Sequence, residues 1–172
     1  DMPCTSLPPV TNGKNFEEKF AAVKNESVID FGLYGGVCAN NFEQFAQSME
    51  ELAGKKVKGF KTYFVSGMKT FPQVSLVQFE LISKQAKELN LPVLLHAEDA
   101  DVISNMTKIH ENANDDYLRY CNSRPAQAEI TAVANAIEIT KRVNGNLHIV
   151  HVASSEAAEL INQVRNEFNI TY

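Results

Sequence analysis

Four short, nearly continuous apolar runs, each followed by a longer segment of helical spacing, constrain this fold more than any other feature. The runs are residues 28–34 (VIDFGLY), 56–65 (KVKGFKTYFV), 91–96 (LPVLLH) and 147–152 (LHIVHV). Helical spacing predicts amphipathic segments at 41–52, where Phe42, Phe45, Met49 and Leu52 align, and at 74–89, where Phe79, Ile82 and Ala86 do. A mostly helical stretch covers 100–142, broken around Arg124 and Pro125, and further helices are predicted at 15–24 and 156–168. Gly35-Gly36 reads as a turn and Gly54 as a helix C-cap. Alternation in one direction calls for parallel strands joined by helical crossovers. Near-continuous apolarity is expected of strands covered on both faces. The pattern alone fits a closed barrel and an open doubly wound sheet equally. No run is followed by GxGxxG spacing or a Walker lysine, so a nucleotide-binding sheet lacks its usual marker.

An apolar content of 44% supplies one real core. The formal charge of -5 argues against a nucleic-acid surface. No apolar run approaches the roughly 18 residues of a membrane span. The first residues, DMPCTSLPPV, lack the basic and long apolar parts of a signal peptide. These features predict a cytoplasmic chain without nucleic-acid or membrane partners. Cys4, Cys38 and Cys121 are odd in number, far apart and without CxxC spacing, which predicts reduced, buried thiols. The N-x-S/T triplets at Asn25, Asn105 and Asn169 carry no weight without a secretory signal. Both ends read as cuts through a larger domain, because residues 168–172 resemble a strand that has barely begun.

Lys61, His96 and His151 fall near the C-terminal ends of three successive predicted strands. In a barrel those ends converge on the face that carries the chemistry. Each has a plainer reading. A histidine at a strand end is often just a hydrogen-bonded residue, and a lysine usually snorkels to solvent. His148 competes with His151, and strand alternation sends the two to opposite faces. Glu98 and Asp99 either hold an imidazole in one tautomer or cap the next helix. Arg124 either binds an anion or pairs with Glu129. Ser154-Ser155 before Glu156 reads as helix capping. Tyr63 and Ser66, beyond Lys61, either reach a substrate or pack a loop.

The segments DMPCTSLPP, DFGLYGG, GFKTYF, LLHAED, SRPAQAE and LHIVHVASS resemble, in this order, those of the cyclic amidohydrolases: allantoinases, dihydroorotases and dihydropyrimidinases (hydantoinases). The resemblance implies an α/β fold, a partial (β/α)8 TIM barrel of the metal-dependent hydrolase type covering about strands 2 to 7, with residues 1–172 as the central part of one domain. It implies two divalent metal ions, usually Zn2+, and identifies Lys61 with a lysine carboxylated by CO2, whose carbamate bridges both. His96 and His151 match metal-binding histidines, leaving His148 structural. Ser66, Glu98 and Arg124 remain candidates for contacts to substrate or to the ligands. The implied activity, in a longer parent, is hydrolysis of a small cyclic amide.

Neither the His-x-His pair nor the catalytic Asp of this family lies in the chain, so these residues alone are expected to be inactive, with open barrel edges and exposed apolar strands. Dihydroorotases typically read DMPNT where Cys4 stands, and dihydropyrimidinases place Tyr where Ser66 stands. Cys4-Thr5-Ser6 and Ser66-Gly67 are more similar to allantoinases, which puts an allantoin-like ureide ring first. Dihydroorotase or hydantoinase activity is the alternative, and a non-catalytic homologue with a structural or assembly role is another. Family members commonly form homo-oligomers.

Overall fold

The computed structural model describes residues 1–112 and 114–172. Among them, strands β1 (Gly35–Gly36), β2 (Phe60–Tyr63), β3 (Val93–His96), β4 (Leu147–Ile149) and β5 (Ile170–Thr171) form one sheet in sequence order. Every neighbouring pair is parallel. The helices are α1 (Gly13–Val23), α2 (Phe45–Gly54), α3 (Leu76–Glu88), α4 (Ala100–Ile109), α5 (Asp116–Asn122), α6 (Ala126–Val143) and α7 (Ser155–Val164), with a 3-10 turn at Ala39–Gln44. This is the strand–helix alternation of a partial (β/α) barrel.

Side chains alternate across a strand, so the register sorts the sheet into two faces. Phe60, Val93, Leu95, Leu147, Ile149 and Ile170 are buried on one face, in a core shared with Met49 and Leu52 of α2, Phe79 and Ile82 of α3, Ala136 and Ile137 of α6, and Ile161 of α7. The other face carries Lys61, Leu94, His148 and Thr171 side by side, with Tyr63 beside His96 one layer further along. The strands therefore place apolar residues against the helices and most of their polar residues on the inner face. The expected exposure of apolar strands is not found: Phe60, Leu94, Leu95 and Ile149 are all buried. Helices cover one face, and Leu94 is sheltered on the other.

Local chemistry sets the helix starts. The Ser75 hydroxyl accepts from the Gln78 N–H at 3.2 Å while Gln78 Oε1 accepts from the Ser75 N–H at 2.8 Å, a reciprocal cap for α3. Asp99 and Ser154 cap α4 and α7 through the N–H groups of Val102 and Ala157. Pro125, with its fixed φ, precedes α6, which ends at Asn144 in the left-handed conformation.

Four expectations are corrected. Residues 28–34 form no strand: Val28 and Ile29 are 97% and 76% exposed, and pairing starts only at Gly35-Gly36. Tyr34 donates instead to the Asp1 carbonyl at 3.0 Å. The glycines are the strand rather than a turn, paired in parallel with Phe60 and Lys61, and a Cβ on Gly36 would lie 2.5 Å from Phe71 Cε2. The stretch 100–142 breaks after Ile109 as well as before α6. Cys121 is exposed on α5, whereas Cys4 and Cys38 are buried, free thiols in a small cluster with Phe71. Among the described residues no helix is long and apolar enough to cross a membrane.

Candidate active site

The site grows from β2, β3 and the turn after β4. Lys61 is only 2% exposed, and burial pushes its amine down to about 7. Its Nζ lies 3.8 Å from the centroid of the Tyr63 ring and donates to the Thr62 carbonyl at 3.1 Å. Tyr63 in turn packs beside His96, the ring centroids 5.1 Å apart, edge-on to Phe71, with its hydroxyl 2.8 Å from Cys4 Sγ. Burial raises the Tyr63 phenol, so it stays protonated.

The two imidazoles meet. His96 Nδ1 and His151 Nε2 are 3.0 Å apart. Glu98 Oε2 accepts from His96 Nε2–H at 2.7 Å, which fixes the tautomer and leaves the Nδ1 lone pair facing His151. That hydrogen bond, ahead of any other cause, holds the Glu98 carboxyl below its usual range. Burial, and then neighbouring His96, lower the pKa of His151 and favour the neutral ring, the form that ligates metals. Arg124 stacks its guanidinium over Tyr120 at 4.2 Å and approaches Glu98 Oε1 with Nε at 4.0 Å.

His148 and His151 do not separate onto opposite faces. Strand β4 ends at Ile149, and His151 takes φ 48°, a left-handed conformation uncommon for a residue with a side chain. This turn swings His151 toward His96, breaking the alternation that applies only to extended backbone. His148 stays in register with Leu94, hence on the Lys61 side, with Nδ1 2.9 Å from Thr171 Oγ1. Burial and then the charge of Lys61 lower its pKa.

The remaining candidates separate. A cleft of about 570 Å³ is lined by His96, Glu98, Tyr120, Arg124, Glu129 and His151, among others. Ser66 is not among its lining residues; its hydroxyl donates to the Phe71 carbonyl at 2.8 Å and accepts from the Met68 N–H at 3.1 Å, closing a turn. Asp99 and Ser154 are occupied as helix caps. Glu129 is not the partner of Arg124: its oxygens accept from the Ala153 and Ser154 N–H groups at 2.9 and 2.7 Å. Sequence reading missed that role, since only the i to i+24 closure reveals it. It also missed the contact of Cys4 with Tyr63.

The donor set can be tested against a metal. Two nitrogens each about 2.1 Å from one cation lie about 3 Å apart at a right angle and about 3.4 Å apart at the tetrahedral angle. The His96–His151 separation fits that range. Among the described residues no group of three or more His, Cys, Asp or Glu is arranged to hold a metal ion. Two imidazoles and a buried amine offer fewer donors than the roughly four ligands zinc takes.

No family model matches the chain. It is 34% identical over 167 residues to the allantoinase of Rubrobacter xylanophilus, covering 96% of this chain and 36% of that protein. Against the allantoinase of Saccharomyces cerevisiae it is 31% identical over 175 residues, again covering 96% of the chain and 36% of the relative. Among solved structures, the L-hydantoinase (dihydropyrimidinase) of Arthrobacter aurescens superposes with a TM-score of 0.91 at 25% identity, over 99% of this chain and 37% of that one. The chain thus spans about a third of the length of the relatives it matches. Over that third, it belongs to the cyclic amidohydrolase family of allantoinases, hydantoinases and dihydroorotases.

Proposed function

We propose that this chain is the central part of a longer cyclic amidohydrolase that opens an allantoin-like ureide ring. One observation carries the reading: an imidazole nitrogen at the end of β3 and one just beyond β4 converge to 3.0 Å, with buried Lys61 on the same sheet face as His96. The match to allantoinases at up to 34% identity favours the ureide. The fold match to a hydantoinase favours a hydantoin ring as the second reading.

In this reading His96 and His151 hold divalent metal, most simply Zn2+, with further ligands from outside these 172 residues. Metal bound here supplies Lewis-acid polarisation of the ring carbonyl and activation of water. Lys61 would contribute a further ligand as a carbamate. Its amine, which burial lowers to about 7 so that the neutral form is accessible, would form an N–C bond to CO2 and release one proton, leaving a carboxylate with two oxygens. Glu98 keeps the proton of His96 on Nε2. Arg124, held by Tyr120 and facing Glu98, lines the cleft where the ring would lie.

The test is hydrolysis by the protein as its gene encodes it, loaded with zinc and bicarbonate. The expected result is turnover of allantoin above that of hydantoin and dihydroorotate, reduced at least a thousandfold by Lys61→Ala, roughly 4 kcal/mol of barrel-mouth chemistry at about 1.36 kcal/mol per decade. Turnover of none of the three, or an unchanged rate in Lys61→Ala, would sink the reading and leave a non-catalytic relative.

A further inference from the structure

Arg124 and the first turn of α6 contact the segment that follows His96 and the loop that contains His151. Behind His96, the Asp99 N–H donates to the Ala128 carbonyl at 2.9 Å. Behind His151, both oxygens of Glu129 are engaged, Oε1 by the Ala153 N–H and Oε2 by the Ser154 N–H. Ahead of the helix, Arg124 faces the Glu98 carboxylate that accepts from His96.

These contacts take over where the sheet stops. The register of β3 with β4 ends at Leu95 and Ile149, and the last bond between them is from the Val150 N–H to the Leu95 carbonyl at 3.1 Å. His151 lies one residue beyond that bond, at φ 48°. Such a conformation persists only where surrounding structure over-determines it. A carboxylate accepting from two successive N–H groups supplies that restraint, because charge-assisted bonds are about twice as strong as neutral ones.

We propose that the first turn of α6, through Glu129, is the element that holds His151 against His96. Glu129 is a positioning residue: it touches the loop backbone and acts through it. The proposal rests on reading His96 and His151 as metal ligands. It concerns the spacing of the pair, not its identity. Glutamine at 129 keeps one acceptor oxygen but turns an NH2 group toward the second N–H, whereas alanine frees both.

The experiment measures zinc affinity by chelator competition, alongside the thermal midpoint, for the protein as encoded and for Glu129→Ala, Glu129→Gln and His151→Ala. Losing a residue that orients a ligand typically costs about 10- to 100-fold in metal affinity, which is the loss expected for Glu129→Ala. Glu129→Gln should lose less, and His151→Ala at least as much. Should Glu129→Ala fail to fold, Glu129→Gln carries the test, with a weakening of at least about threefold expected. If the Glu129 variants lower the thermal midpoint but leave zinc affinity unchanged while His151→Ala weakens it, Glu129 only supports the fold and the proposal is overturned. If His151→Ala also leaves affinity unchanged, the ligand pair itself is wrong and both readings fall together.

Discussion

Burial sets the state of Lys61. An unfolded lysine titrates near 10.4, whereas the folded side chain is pushed down to about 7. Between those values the unfolded chain holds a proton that the folded chain has shed, so stability of the unmodified, metal-free protein should rise with pH across the window from about 7 to 10. Below it both states are protonated and the contribution levels off. Lys61→Met removes the group and should flatten the rise. Denaturant midpoints at a series of pH values measure this, and an equally steep rise in the variant would show that other groups cause it. The strand positions of Lys61 and His96 were legible in the sequence, because Lys61 lies within one short apolar run and His96 closes the next. The orientation of His151 was not. It depends on a left-handed residue outside the strand, and no glycine marks it.

At the scale of elements, periodicity located α2, α3, α6 and α7 because each packs an apolar stripe on the sheet. It misplaced β1, whose two glycines have no side chains to show a pattern. Their smallness has a packing cause, since Gly36 is the cross-strand neighbour of Lys61 and Phe71 fills the space where its Cβ would be. Phe71 is fully buried and edge-on to Tyr63, so it cannot yield without disturbing the Lys61 side of the site. Gly36→Ala should therefore cost about 1–3 kcal/mol of stability, the usual range for overpacking a filled core. Urea unfolding measures it, and a cost near zero would mean that Phe71 has room to move. The link from Glu129 to the His151 loop was hidden for a different reason. It joins residues 24 and 25 positions apart through backbone N–H groups, which no residue-type pattern encodes.

For the whole molecule, surface area bears on how the sheet is used. A compact domain of 19.1 kDa exposes about 8,400 Å² by the usual scaling, whereas this chain exposes 9581 Å². The excess agrees with an arc of five parallel strands that, among the described residues, has β1 and β5 as its edges. An inner face bearing Lys61, Tyr63, His96 and His148 gains its chemical meaning from what stands opposite it. The family placement covers about a third of the relatives' length. The most direct test of a metal centre built on Lys61, His96 and His151 is carbon-13 NMR of the protein as encoded, prepared with zinc and labelled bicarbonate. One carbamate resonance is expected, disappearing in Lys61→Ala and fading when zinc is chelated. Zinc-loaded protein without that resonance, or a resonance that survives Lys61→Ala, would contradict that centre.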